Sequence, residues 1–244
     1  MKCLYMIALL ATACSSAPTS VPPEVSTWGS MREVLREGRT EGRVELAAVL
    51  GPRTVAVGAL AGLSAEITVD RGALHLAEAL VGGKEARERP LKPGDDATLL
   101  VSAEVSAWSE SVLAGPLDLT GLEARLQAES VARGWAPDGV FPFRVEGAAE
   151  HVELHVLNGS CPIADPSGPA PWRLSADDTD IVLIGFFAEN RAGTITHHGH
   201  KSHTHVVVPD RSLSGHLDTV SLEAGARLFL PEYFVTTSEI EEGN

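Results

Sequence analysis

The sequence predicts an α+β fold. We expect a strand-rich domain of mixed or antiparallel β-sheet with helices packed on it, and a barrel-like C-terminal half carrying a histidine cluster. Three observations predict this. Ser30 with Glu33 and Thr120 with Glu123 stand at capping-box spacing, which marks two helix starts. From Thr54 the pattern changes to short runs rich in β-branched residues, TVAVGAL, AEITVD and ALHLAEAL, separated by Gly62 and by Asp70-Arg71-Gly72, the punctuation of strands and turns. The tail repeats that pattern over 181–187, 202–208, 216–223 and 227–230.

Taken in order, Met1-Lys2, the apolar run Cys3 to Leu10 and Ala11-Thr12-Ala13-Cys14 have the charged, apolar and small-residue regions of a secretory signal. Ala13-Cys14-Ser15-Ser16 also resembles a bacterial lipobox, which would lipidate Cys14, although Ala11 stands where Leu is commoner. The run is too short to span a bilayer. The expectation is an exported protein, either secreted, periplasmic or held to a membrane by a lipid on Cys14. Residues 15–27 are rich in Ser, Pro and Thr and read as a tether. That gives a signal in 1–20, a linker in 21–29 and one folded domain in 30–244.

The domain opens with a helix through Met31, Val34 and Leu35, then a second through Val44, Leu46, Ala47 and Leu50, stopped by Gly51-Pro52. Residues 97–108 read as extended. Thr120 heads a helix through Leu122, Leu126 and Val131 that ends at Gly134 and packs on the sheet. FPFRVEG and HVELHVLN alternate apolar and polar residues, which suggests a half-buried antiparallel pair. A Pro-rich loop follows from Cys161 to Trp172.

Hydrophobic residues make up 44% of the chain and charged ones 21%, the balance of a globular protein with a core. The formal net charge of −14 and the lack of any Lys/Arg-rich stretch exclude a phosphate backbone as partner. The same charge disfavours an anionic substrate unless a local positive centre such as a metal offsets it. Of the three cysteines, two fall in the signal, so the domain holds no internal disulfide. Cys161 reads as a small apolar loop residue.

Chemistry concentrates in HKSHTHVVVPDRSLSGHLD. Side chains two apart on a strand share a face, so His203 and His205 are presented together. Pro209 to Ser212 is a turn signal midway to His216. Folding back there sets His216 opposite His205, where Cβ atoms lie about 5 Å apart. Three neutral imidazoles suit Zn²⁺ and leave positions open for water or substrate. His197, His198 and His200 are expected to be exposed.

The segment HTHVVVPDRSLSGHLD resembles the signature of bacterial acetolactate decarboxylases, in which a His-x-His pair precedes a third zinc-binding His by eleven residues. Gly215-His216 matches its Gly-Gly-His context, with Ser214 for the first Gly. GALAGLSAEITVDRG likewise resembles that family's Gly-rich strand leading to Leu-Asp-Gly-Glu, with Ser64 and Ala65 in place of Asp and Gly. The likeness runs from about Trp28 to Phe234. It implies zinc held by His203, His205 and His216, and decarboxylation of 2-acetolactate to acetoin and CO₂. Zinc would act as Lewis acid, and Glu66 would supply the proton taken up when CO₂ leaves. It implies a second carboxyl from the tail, for which we take Glu241 over Glu239 and Glu242. It puts His155 where the family has an Arg, and the family's Gln-rich, Pro-Tyr segment is replaced by NGSCPIADPSGPAPW. The partner implied is a small-molecule substrate, with homodimerisation left open. Two other readings stay open: a metal-dependent lyase or hydrolase acting on another small hydroxy-keto acid, and a non-catalytic metal-binding surface lipoprotein.

Overall fold

The computed structural model describes residues 23–80, 83–161 and 164–232. The signal and lipobox expected in residues 1–20, and Glu241, lie outside the described residues.

The first sheet is built from β1 (Val25–Trp28), β2 (Val44–Glu45), β3 (Thr54–Leu60), β4 (Glu66–Asp70), β5 (Ala73–Ala79), β6 (Ala86–Glu88) and β7 (Asp96–Glu104). Its order is β1-β7-β3-β4-β5-β6, with β2 also on β7. The second holds β8 (Trp108–Val112), β9 (Leu117–Asp118), β10 (Phe141–Val156), β11 (Trp172–Phe187), β12 (Ser202–Val208), β13 (Leu213–Leu222) and β14 (Arg227–Pro231), ordered β8-β14-β10-β11-β12-β13-β9. Every pairing between these strands is antiparallel. The helices are α1 (Met31–Glu37), α2 (Leu46–Val49) and α3 (Leu119–Ala132).

The continuous apolar run of β3 is buried at every position, because the strand is covered on both faces. Val55 and Val57 pack against Ile184, Phe186 and Val207 of the second sheet. Ala56 and Leu60 pack on the opposite side with Leu46 of α2 and Ile67. The two sheets therefore meet face to face through β3. Arg71 and Gly72 sit at φ 50° and 84° between the paired residues Asp70 and Ala73. Two left-handed residues in a two-residue loop match the right-handed twist of the hairpin.

The structure corrects several expectations. FPFRVEG and HVELHVLN do not pair with each other; FPFRVEG and the HVELHV of the second run lie in the single 16-residue strand β10. This strand pairs along its length with β11, while its two halves take different second neighbours, β14 at Arg144–Glu146 and β13 at Ala149–His155. The second sheet keeps β8 and β9 at its ends, while the return of pairing from β13 to β10 closes a ring of β10, β11, β12 and β13 within it. The head is not purely helical: Val44 is in β2 and the second helix is a single turn, cut off where Leu50 turns extended ahead of Gly51-Pro52. Residues 25–28, read as part of the tether, are paired with β7.

Helix α3 is capped by Asp118, whose carboxylate accepts from Gly121 N at 2.7 Å, rather than by Thr120. Its inner face is Leu122 and Leu126, while Val131 is 73% exposed. Among the described residues no helix is long and apolar enough to cross a membrane.

Candidate metal centre

Strand β12 is buried along its whole length, and its period of two sends His203 and His205 to one side. A short 3₁₀ turn at Pro209–Arg211, closed by Ser212 in the left-handed region, returns the chain as β13. In that register His205 and His216 are cross-strand partners, as the turn position predicts. The ring centroids lie 5.2 Å (His203–His205), 5.3 Å (His203–His216) and 5.3 Å (His205–His216) apart. One nitrogen from each lies within 4.8 Å of the others. Gly215 makes this possible from the other side: a Cβ there would meet the His155 carbonyl oxygen at 2.6 Å, so only glycine lets β13 close on β10.

Burial sets the electrostatics. Desolvation holds His203 down at about 3, with His197 and His155 adding to the push. His205 and His216 lie well below the ordinary histidine value for the same first reason. All three rings are therefore neutral near pH 7, the form that binds a metal. His205 Nδ1 meets Thr68 Oγ1 at 2.9 Å. We assign the ring proton to that nitrogen, donating to the hydroxyl, which leaves the Nε2 lone pair free. This Nε2 and Nδ1 of His203 are buried without a hydrogen-bond partner among the described residues. An unpaired buried acceptor costs about 1–3 kcal/mol, and two in one cluster of neutral imidazoles are the donor set that a divalent cation completes. The residues fit the ion the resemblance implies.

Glu66 stands beside them on β4, 2% exposed. Its Oε2 is 3.7 Å from His205 Nε2, too far for a hydrogen bond, and its Oε1 accepts from Leu157 N at 3.3 Å. Burial pushes this carboxyl up to about 7, against the pull of His155 and of the Leu157 N–H. His155 is also in the site. It pairs with His216 across β10–β13, the rings 4.8 Å apart, and its Nδ1 meets Asp218 Oδ1 at 2.7 Å. The other Asp218 oxygen accepts from Arg173, which is opposite His155 on β11. A cavity of about 260 Å³ joins Glu66, His155, His203, His216 and Arg173 under an apolar wall that includes Met31 and Leu63.

The structure thus brings together His203, His205, His216, Glu66 and His155. Glu241 lies outside the described residues. Sequence reasoning missed Thr68, Asp218, Arg173 and His197. Thr68 is two residues beyond Glu66 on β4, and Asp218 two beyond His216 on β13, so the same period of two could have found both. Arg173 had no local signal, because only the β10–β11 register sets it beside His155. His197 corrects an expectation: it is half-buried, 5.3 Å from the His216 ring, with its pKa lowered by burial. His198 and His200 are exposed as expected.

This two-sheet fold is shared with solved structures. No family model and no curated protein matches the sequence. Similar in fold is α-acetolactate decarboxylase from Bacillus subtilis strain 168, at 16% identity and TM-score 0.63 over 85% of each chain. The acetolactate decarboxylase of Bacillus subtilis subspecies spizizenii is 16% identical with TM-score 0.64, covering 90% of this chain and 93% of its own. A Staphylococcus aureus protein of unknown function, described as similar to α-acetolactate decarboxylase, is 15% identical with TM-score 0.61 over 86% of this chain and 85% of its own.

Proposed function

We propose that this protein is a metal-dependent carboxy-lyase that converts 2-acetolactate to acetoin and CO₂, with Zn²⁺ as its metal. The observation that carries the reading is the convergence of three neutral histidines, two of them fully buried, on a buried carboxyl, Glu66, at the wall of one cavity. The fold likeness to acetolactate decarboxylases supports it. His203, His205 and His216 would hold the metal, which supplies Lewis-acid polarisation of the substrate's keto and hydroxyl oxygens.

The chain's own residues do the rest. Arg173 is a permanent cation on the cavity wall and anchors the substrate carboxylate, a role suited to the guanidinium fork. Asp218 orients His155 through Nδ1, turning the other ring edge toward the substrate. The C–C bond to the carboxylate breaks, its electron pair stays with the substrate and CO₂ departs. Glu66, kept partly protonated near neutral pH by burial, gives its proton to the carbon that lost CO₂. The apolar wall excludes water, which strengthens each of these interactions. We place the protein outside the cytoplasm on the strength of residues 1–20.

The test is metal analysis of the purified full chain together with an acetoin assay on racemic 2-acetolactate. About one metal per chain and acetoin formation are expected. Metal retained without acetoin would sink the decarboxylase and favour a binding protein.

A further inference from the structure

A second cavity, of about 460 Å³, lies beside the metal centre and shares Met31, Leu35 and His197 with its wall. It is mainly apolar, and no acid lines it. Its cations are Arg32 and Arg36, one turn apart on α1, with His198 opposite them in the loop after β11. In a chain of net charge −14 most arginines find a carboxylate, as Arg39, Arg43, Arg89 and Arg144 do. Among the described residues neither Arg32 nor Arg36 forms an ion pair. The acids of their own helix are taken elsewhere, Glu33 by Arg39 and Arg43 and Glu37 by Arg39. The cavity wall also holds Thr196, which is wholly buried and whose hydroxyl has no partner among the described residues.

We infer that this cavity is a subsite of the same centre, and that the native substrate is a 2-hydroxy-3-keto acid whose apolar stem ends in a second carboxylate bound by Arg32 and Arg36. The inference rests on the metal-centre reading above and extends its substrate beyond 2-acetolactate. The first cavity, about 260 Å³, takes the reacting end at the histidines. The shared wall of Met31, Leu35 and His197 carries the stem, and two guanidinium forks meet the distal carboxylate, a pairing that is short, charge-assisted and bidentate. A carboxylate suits the cavity better than a larger polyanion, because its wall is mainly apolar and holds no cation beyond the two arginines other than what His198 could supply.

The experiment compares two acids of equal length by calorimetry on the zinc-loaded full chain at low salt: 2-hydroxyadipate, and 2-hydroxyhexanoate, which has a methyl in place of the distal carboxylate. The diacid is expected to bind at least about tenfold tighter. R32Q/R36Q should bring it to the affinity of the monoacid, leaving zinc content and 2-hydroxyhexanoate binding unchanged. Both side chains are exposed, so the fold tolerates the change, and R32Q or R36Q alone should give an intermediate gap. Equal affinities in the unaltered protein, or a preference that survives R32Q/R36Q, would overturn the subsite alone. If neither acid binds while zinc is held, the subsite falls and the metal-centre reading stands, to be judged by the acetoin assay.

Discussion

His205 is fixed from two directions, and that decides how the site works at the residue scale. Its Nδ1 contacts Thr68 Oγ1 and its Nε2 faces Glu66 across 3.7 Å. A hydrogen bond to the far ring nitrogen of a ligating histidine fixes tautomer and orientation. Thr68→Val removes the acceptor without changing shape, so zinc affinity should fall by about 10- to 100-fold; Thr68→Ser should keep it. Competition with a coloured chelator reads both, and equal affinity in the Val variant would remove Thr68 from the ligand support. Glu66→Gln preserves volume and most of the metal affinity but carries no transferable proton. Acetoin formation should drop by about 10² to 10⁴ with zinc content unchanged. An undiminished rate would end the proton-donor role of Glu66.

At the scale of elements, α3 shows how one side chain can serve a different element from the one its spacing suggests. Glu123 stands where a capping box needs it, yet its Oε1 accepts from Lys201 N at 2.9 Å, Ser202 N at 2.9 Å and Ser202 Oγ at 2.7 Å. It pins the first residue of β12, next to His203. The cap is Asp118. Asp118→Ala should therefore destabilise the protein by about 1 kcal/mol, and Thr120→Ala should stay within about 0.5 kcal/mol. Urea unfolding separates them, and the reverse order would restore Thr120 as the cap.

For the whole molecule, folding places three imidazoles and one carboxyl where their charged forms are disfavoured, and this ties stability to pH once the metal is stripped. The folded-state pKa values of His203, His205 and His216 lie below 6.5, that of His203 at about 3. As pH falls below 6.5 the unfolded chain takes up these protons and the folded chain does not, so stability is lost progressively. Glu66 has the opposite sign, its pKa being raised from 4.5 to about 7: it stabilises the fold at low pH and that contribution is lost as pH rises from 4.5 to 7. Three protons outweigh one, each worth about 1.4 kcal/mol per pH unit. The chelator-treated protein should melt at a markedly lower temperature at pH 5.5 than at pH 7.5. Zinc at a hundred times its Kd should restore about 2.7 kcal/mol at the higher pH. A melting temperature that is flat with pH would mean the histidines are not buried in the metal-free state.

The sequence by itself determined the trio of histidines that could hold a metal and the strand-rich α+β plan. The period of two in HTH, the turn signal at Pro209–Ser212 and the return to His216 are local properties, and the His205–His216 register follows from them. Local patterning also marked the β4–β5 hairpin, the starts of β3 and β12, and α1 with its Ser30 cap. Glu66 was legible only through its likeness to a family motif, because its partner His205 belongs to the other sheet. Only the tertiary structure decided that the sheets stack so that Thr68 reaches His205 across 137 residues, or that β10 runs unbroken because it has a neighbour at each end of its length. The same holds for Arg173 joining Asp218 through the β10–β11 register, for His197 leaving its exposed loop neighbours to pack on His216, and for Arg32 and Arg36 going without acid partners. The reason is physical: side-chain direction along a strand or turn follows from covalent geometry and local sterics, whereas burial, ion pairing and cavity shape are set by which distant surfaces meet.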